Sequence, residues 1–229
     1  MKYLNFYKMH GIGNDFILID GRTFNWNNRK LKQLTLRLCP RRYGIGADGV
    51  IFLKKAEDNS YDYKMKIFNA DGSEAEMCGN GIRTLTHFIK YLQISEKWNF
   101  NIKTKAGIIE TSIINYGNKR SKIKVNMGQA EFQKTKIPAI LEAKDIVDDY
   151  KITIDDQEFL LNSVSIGNPH TVIFVNSLKE ISVQKIGPKI ENHKIFPKKT
   201  NVEFVEVQNC QNIKMRVWER GVGETLACG

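Results

Sequence analysis

Two cysteines followed by glycine stand at matched positions in this chain. Cys78 and Gly79 close the stretch KMKIFNADGSEAEMCG, and Cys228 and Gly229 close KMRVWERGVGETLACG. The two stretches align without a gap at an offset of 150 residues. A cysteine just before a helix lies where backbone N–H groups are unpaired and the helix dipole is positive. Such a position favours the thiolate, and the same N–H groups can bind a carboxylate.

Two such thiols suit the inversion of a stereocentre. If the two copies are related by approximate two-fold symmetry, the thiols face each other across a cleft. One removes an α-proton as thiolate, and the other delivers a proton to the opposite side as thiol. The alternative is a disulfide between them, which in a cytosolic protein is an oxidation product rather than a structural bond. The unmatched Cys39 and Cys210 are interpreted as small buried hydrophobic residues.

The elements that must hold these cysteines follow from hydrophobic spacing. In the first copy, the β-rich runs LNFYKMH, DFILID, GVIFLKK and YKMKIF predict strands. After CGNG, the apolar residues Ile82, Leu85, Ile89 and Leu92 recur every three or four positions, which predicts a buried helix. Two later runs, NFNIKTKAGIIETSIIN and KIKVNMG, close the first copy.

A second, shorter echo supports an internal repeat. GNDFILI resembles GNPHTVIFV at an offset of 154 residues. The second copy has predicted strands at KITI, LNSVSIG, HTVIFV, NVEFVEV and IKMRVWER, but no counterpart of the helix follows Cys228. We therefore predict an α/β (α+β) fold with two pseudo-symmetric domains, 1–124 and 125–229. The second domain is expected to be incomplete, because its counterparts of the core helix and the closing strand pair are missing.

Length and composition limit the function classes. The 229 residues, 41% of them hydrophobic, suffice for one large or two small globular domains. No window approaches ~18 uninterrupted apolar residues, and the N-terminus lacks the pattern of a signal peptide. We therefore expect a cytoplasmic protein with no membrane partner. Four irregularly spaced cysteines suggest neither a disulfide framework nor a metal site.

The net charge of +10 raises a nucleic-acid hypothesis. The densest basic stretch is RKLKQLTLRLCPRR, in which the leucines share one helical face and leave the basic residues as a solvated outer face. No ordered set of aromatic residues alternates with the basic ones, as base stacking would require. We therefore expect no nucleic-acid partner, although an RNA-binding protein stays open as an alternative. A basic field also favours a small acidic substrate.

Six motifs together resemble the diaminopimelate epimerase family, cofactor-independent isomerases of lysine and peptidoglycan-precursor synthesis. They are MHGIGNDF, RRYGIGADG, FNADGSEAEMCGNG, GNPH, NVEF and ERGVGETLACG, in family order along the whole chain. The resemblance implies two similar α/β domains, each a mixed or antiparallel sheet wrapped around a central helix, with the active site between them. It also implies a small-molecule substrate, interconversion of LL- and meso-diaminopimelate without metal or other cofactor, and it allows a homodimer.

By the resemblance, Cys78 and Cys228 would be the acid/base residues, and His170 and Glu219 would help to set their protonation. Glu219 would also contact the reacting amino group. The other matched positions would bind substrate: backbone at Gly79, Asn80 and Gly229 for the reacting carboxylate, and Asn14, Asn69, Asn168, Asn201 and Arg220 mostly for the distal end. Fixed amides and a bidentate arginine suit a substrate with two zwitterionic ends.

Simpler interpretations stay open. Asn14, Asn69 and Asn168 lie beside Gly, Asp or Pro and could be turn formers, and the Glu219 and Arg220 side chains could form a surface ion pair. Family members continue past the second cysteine with a helix and closing strands, so we expect the second domain here to be destabilised. The alternative functions are therefore a catalytically inactive, truncated member of the family or a proline racemase-like enzyme that shares the paired-thiol logic.

Overall fold

The computed structural model describes residues 3–141 and 145–226, in two compact units. The first unit runs up to Met127 and the second starts at Gly128. The first contains β1 (Tyr7–Gly11), β2 (Asn14–Asp20), α1 (Asn28–Leu38), β3 (Gly49–Lys55), β4 (Tyr63–Asn69), α2 (Gly79–Tyr91), β5 (Asn99–Thr104), β6 (Gly107–Asn115) and β7 (Lys122–Val125). The second contains β8 (Tyr150–Ile154), β9 (Gln157–Ser165), β10 (Pro169–Phe174), α3 (Val183–Glu191), β11 (Asn201–Asn209), β12 (Asn212–Glu219) and β13 (Gly223–Thr225). No helix in these described ranges combines the length and apolar character needed to span a membrane.

The first sheet is mixed, and its seven strands follow chain order from β1 to β7. Neighbouring strands are antiparallel except for two parallel pairs, β2 with β3 and β4 with β5. Parallel pairs need crossover connections, which α1 and α2 supply. The long run predicted after the helix is divided into β5 and β6 by a turn at residues 105–106.

The side chains of the first sheet alternate between two hydrophobic cores. On one face, Leu18 and Ile51 pack with residues of α2. On the other face, Ile17 and Phe52 pack with Leu31 of α1. Because successive residues of a strand point to opposite sides, one apolar run can fill both cores.

Helix α2 buries the stripe that the sequence predicts. Ile82, Leu85 and Ile89 are fully buried, and Leu92 caps the C-terminal end while partly buried against the same core. Gln93, at φ 53°, then adopts the left-handed conformation that commonly ends a helix. The predicted central helix of the first copy is confirmed.

The second sheet is also mixed, with β10 and β11 as its parallel pair and α3 as the crossover between them. No helix was predicted here. Gly187 and Pro188, which both disfavour a helix interior, lie in the middle of α3. The spacing of Val183, Ile186 and Ile190 is nevertheless helical, and all three side chains are buried. The mixed α+β character predicted for the chain is confirmed.

The internal repeat is present in the strand pairing. Phe68 of β4 pairs with Glu74 in an isolated antiparallel bridge, and Trp218 of β12 pairs with Glu224 of β13. The two pairs have the same 150-residue offset as the cysteine stretches. The parallel crossovers also correspond, so that α3 is the counterpart of α1. A counterpart of α2 would begin at residue 229, which lies outside the described residues. The domain limits 1–124 and 125–229 stay a prediction.

The second sheet presents two different faces. Val202 and Phe204 face the core that it shares with α3. Strand alternation places His170 and Glu203 on the opposite face. The described part of the second unit supplies no helix to that face. Further along the strands it bears exposed hydrophobic side chains, namely Phe174, Val207, Ile213 and Met215.

Candidate active site

Cys78 is the N-cap residue of α2. Its backbone is extended, at φ −144° and ψ 118°, and its half-buried sulfur accepts a hydrogen bond from the Gly81 N–H at 3.3 Å. The first N–H groups of a helix lack intrahelical partners and carry the positive end of the dipole. This position therefore favours negative charge on sulfur. The structure places Cys78 at the predicted helix start, and its catalytic role stays a prediction.

The first residues of α2 are held against strand β1. Gly79 and Asn80 are buried, and the Asn80 side-chain oxygen accepts a hydrogen bond from the Arg83 guanidinium. A Cβ atom on Gly11 would lie 2.9 Å from the Asn80 carbonyl oxygen, so the close approach of β1 requires glycine there. A helix start built in this way offers backbone N–H groups to a carboxylate.

The Asn14 side chain lies between Cys78 and Asp48 and is 2% exposed. Its Oδ1 accepts a hydrogen bond from the Cys78 thiol, with sulfur and oxygen 3.8 Å apart, and its Nδ2 donates to Asp48 Oδ2 at 2.8 Å. Because a carboxylate only accepts, Asp48 fixes the orientation of the Asn14 amide. The amide oxygen is thereby directed at the sulfur.

Arg41 joins Asp48 to Asp15. Its Nη2 lies 2.7 Å from Asp48 Oδ1 and 2.8 Å from Asp15 Oδ1, and Lys8 Nζ lies 3.1 Å from Asp15 Oδ2. Burial raises the pKa of Asp15, but hydrogen bonds and charge from Arg41 and Lys8 outweigh it and hold the pKa well below the usual range. Asp15 therefore stays charged and keeps its hold on Arg41.

Asn69 ends β4 at the same edge of the first sheet where β2 and β3 begin. Its backbone pairs with Gly49, which in turn pairs with Phe16. The Asn69 side chain donates to the Ser73 hydroxyl at 3.1 Å within a tight turn. The turn-forming interpretation therefore fits its local contacts, and a role in substrate binding stays a prediction.

His170, in the second unit, is buried between two polar partners. Its Nδ1 lies 2.6 Å from Glu203 Oε1, and its Nε2 lies 2.9 Å from Asn168 Oδ1. The parallel register of β10 and β11 pairs His170 with Asn201, which brings Glu203 to the same face. His170 and Glu203, 33 residues apart in sequence, thus form a buried acid–imidazole pair.

Asn201 and Glu219 lie at neighbouring strand ends in the second sheet. The buried Asn201 side chain donates to a backbone carbonyl at 2.8 Å and accepts from the Arg220 backbone N–H at 2.9 Å. Glu219 Oε1 accepts from the Thr225 hydroxyl at 2.7 Å. These contacts fix the turn that carries Glu219 and Arg220.

The described site residues fall into one group in each unit, and Cys228 and Gly229 lie outside the described residues. The first group is Asn14, Asn69, Cys78, Gly79 and Asn80, and the second is Asn168, His170, Asn201, Glu219 and Arg220.

Sequence reasoning gave no role to Arg41, Asp48 or Glu203. Each stands in a motif that was singled out, RRYGIGADG or NVEF. For Glu203, the available signal was a charged residue at an alternating position of an otherwise apolar strand.

The unmatched cysteines differ from each other. Cys39 is buried as predicted, and burial, with added repulsion from Asp15 and Asp48, raises its pKa to about 11. The prediction for Cys210 is wrong, because this residue is exposed at the turn between β11 and β12. Within the described ranges, no three His, Cys, Asp or Glu side chains are grouped to hold a metal ion. A reaction without cofactor stays a prediction.

Known proteins resemble this chain over almost its whole length. The family model for diaminopimelate epimerase matches residues 6–133 and 162–229. A diaminopimelate epimerase from Halothermothrix orenii is 46% identical over 227 residues, which are 99% of this chain and 79% of that protein. One from Carboxydothermus hydrogenoformans is 43% identical over 227 residues, 99% of this chain and 80% of that protein.

A solved structure shares the fold at low sequence identity. A probable proline racemase from Agrobacterium radiobacter has a TM-score of 0.73 and 12% identity, covering 98% of this chain and 73% of that one. Such a likeness concerns architecture alone. The family match and the two relatives go further, since they confirm the resemblance that the six motifs predicted. The chain therefore belongs to the diaminopimelate epimerase family.

Proposed function

We propose that this chain interconverts LL- and meso-diaminopimelate by a two-thiol mechanism. The observation that carries the proposal is Cys78 at the start of α2, with its sulfur 3.3 Å from the Gly81 N–H. Family membership supports the substrate. The 150-residue repeat supports Cys228 as the second thiol, because it stands in a matching sequence.

The reaction consists of two proton transfers at one carbon. One cysteine thiolate takes the α-proton, and the electron pair of the broken C–H bond stays on the substrate and spreads into its carboxylate. The other cysteine thiol then donates its proton to the opposite side of that carbon, which inverts the centre and leaves a thiolate. The N–H groups at the start of α2 stabilise the charge that develops on the carboxylate.

The remaining residues have supporting roles in this proposal. His170 and Glu219 set the protonation of the thiols, and Glu219 contacts the reacting amino group. Amides and a guanidinium suit the substrate, mostly its distal amino and carboxylate groups, because the amides both donate and accept while the guanidinium binds a carboxylate bidentately. The residues assigned to substrate in this way are Asn14, Asn69, Asn168, Asn201 and Arg220.

Exchange of the α-hydrogen in D2O, followed by NMR together with isomer analysis, tests the proposal. Cys78→Ser and Cys228→Ser should each lower the inversion rate about 10²- to 10⁴-fold, since each removes one acid/base group. Cys210→Ser is the matched control, because Cys210 is exposed at a hairpin turn, and it should retain the wild-type rate. Inversion at full rate by either of the first two variants would contradict the two-thiol assignment.

The same assay separates the alternatives. Turnover of proline instead of diaminopimelate would favour the racemase-like interpretation, and a folded preparation that turns over neither would favour a catalytically inactive member. A cytoplasmic location and a homodimer belong to the proposal as well. For the homodimer, light scattering should give about twice the chain mass of 26.3 kDa.

A further inference from the structure

The His170 and Glu203 pair occupies positions that hold hydrophobic residues in the first copy. The register pairs Phe16 with Gly49 in β2 and β3, and it pairs His170 with Asn201 in β10 and β11. Two residues further along the second strand of each pair stand Ile51 and Glu203. Phe16 is therefore the counterpart of His170, and Ile51 is the counterpart of Glu203.

The physical contrast between the two copies is large. Phe16 and Ile51 are buried in the core on the α2 face, at 3% and 0% exposure. His170 and Glu203 are almost as buried, at 7% and 4%. Replacing a buried ionisable pair by hydrophobic residues is often neutral or stabilising, because desolvation offsets much of the attraction between the partners. The fold alone therefore does not account for the pair.

We propose that Glu203 is a positioning residue for His170. This inference rests on the proposed function, in which His170 sets the protonation of the thiols. The carboxylate accepts the Nδ1–H at 2.6 Å, which selects that tautomer and fixes the plane of the ring. Nε2 lies 2.9 Å from Asn168 Oδ1, so this ring nitrogen donates to the amide oxygen when it carries the proton that it exchanges. Glu203 acts through His170 and does not itself touch the substrate.

A double-mutant cycle distinguishes this role from a structural one. Glu203→Gln should lower kcat roughly 10- to 100-fold with KM within about 2-fold, by analogy with carboxylates that orient metal-bound imidazoles, whose loss has an effect of this size. In a His170→Gln background, the same change should have little further effect, since the residue through which Glu203 acts is gone. An equal loss in both backgrounds would overturn the proposal.

Glu206→Gln is the matched control. Glu206 is a carboxylate on the same strand, and its Oε2 accepts the Leu178 backbone N–H at 2.9 Å, away from His170. This variant should retain the wild-type kcat. A loss as large as that of Glu203→Gln would mean that any carboxylate change in β11 disturbs activity, and it would contradict a specific role for Glu203.

Two measurements do not depend on turnover. ¹⁵N NMR of the imidazole should show a proton held on Nδ1 of His170. Glu203→Gln should shift the tautomer population towards Nε2–H, because a glutamine amide can donate to Nδ1 while Asn168 Oδ1 accepts from Nε2. The double variant His170→Phe with Glu203→Ile should unfold at an equal or higher urea concentration than wild type. An unchanged tautomer in Glu203→Gln, or a collapse of the double variant, would overturn the proposal. A locked wild-type tautomer without diaminopimelate turnover would instead contradict only the proposed function.

Discussion

At the level of single residues, the setting of Cys78 depends on side chains that are distant in the chain. Asn14 contacts the sulfur, Asp48 orients the Asn14 amide, and Arg41 holds Asp48 in place. Each contact fixes which atoms of the neighbouring side chain donate and which accept, because carboxylates only accept and guanidinium groups only donate. The sulfur therefore faces an amide oxygen on one side and the start of α2 on the other.

Asp48→Asn should lower the rate of α-hydrogen exchange about 10- to 100-fold, because an amide at position 48 no longer forces Asn14 to direct its oxygen at Cys78. Exchange in D2O measures the effect, and urea unfolding checks that the variant is folded. Asp20→Asn is a matched control at the other end of β2 from Asn14, since Asp20 pairs with Arg22 at 2.8 Å. Equal rate losses in both variants would contradict the orienting role.

Asp15 should contribute to the acid sensitivity of the first unit. Its pKa is lowered in the folded protein below the ordinary value of 3.8, so the unfolded chain binds a proton more readily. The resulting stability is fully present above about pH 4 and is lost as pH falls towards the lowered pKa. Asp15→Asn should therefore be less stable than wild type at neutral pH and lose less stability between about pH 4 and pH 2. Urea unfolding across this range tests the prediction, and parallel curves for the two proteins would contradict it.

At the level of elements, the sheets depend on close contacts with their crossover helices. The clearest case is α3, where a Cβ on Gly187 would lie 2.6 Å from Cγ of Trp218. Trp218 in turn donates its indole N–H to the buried Glu191 at 2.7 Å, and Glu191 accepts the Gly221 N–H at 3.1 Å. Packing of α3 on β12 therefore also fixes the turn that carries Glu219.

Gly187→Ala should destabilise the protein by about 1–3 kcal/mol, because the added methyl group overlaps the Trp218 ring. The sign of the change in unfolding free energy distinguishes a crowded site from an open one, since the same change in an uncrowded helix stabilises by about 0.5–1 kcal/mol. Urea unfolding measures the free energy, and Gln184→Ala at an exposed position of α3 is the control, with little change expected. Stabilisation by Gly187→Ala would show that the contact is not tight in solution.

At the level of the whole molecule, each unit has its own hydrophobic core. Leu85 lies in the core that α2 shares with the first sheet, and Ile190 lies in the core that α3 shares with the second. Both side chains are fully buried in helices, which makes them a matched pair. Substitutions at these positions therefore probe each unit separately.

Leu85→Ala and Ile190→Ala should each lower local stability by about 2–5 kcal/mol through lost burial and a residual cavity. Hydrogen exchange measured by mass spectrometry should accelerate only in peptides of the first unit for Leu85→Ala, and only in those of the second for Ile190→Ala. The two variants serve as controls for each other. Faster exchange throughout the chain in either variant would contradict two separate cores.

The sequence by itself determined the repeat, the family, the strand regions and the buried stripe of α2. These features depend on residue types at fixed short spacings, and such spacings are visible in the chain without its fold. Ile82, Leu85 and Ile89 recur at helical spacing, and the glycine after Cys78 marks the start of that helix. The matching of Cys78 with Cys228 likewise needed only an offset of 150 residues.

The tertiary structure decided which polar side chains meet. The contacts of Asn14 with Asp48 and of His170 with Glu203 join residues 34 and 33 positions apart. These contacts arise from the register of the parallel strands, which the packing of the crossover helices sets. A shift of one residue in that register would turn the side chains to the opposite face of the sheet. Tertiary packing also outweighed the local helix-breaking signal of Gly187 and Pro188, because burial of Val183, Ile186 and Ile190 stabilises α3 more than those two residues disfavour it.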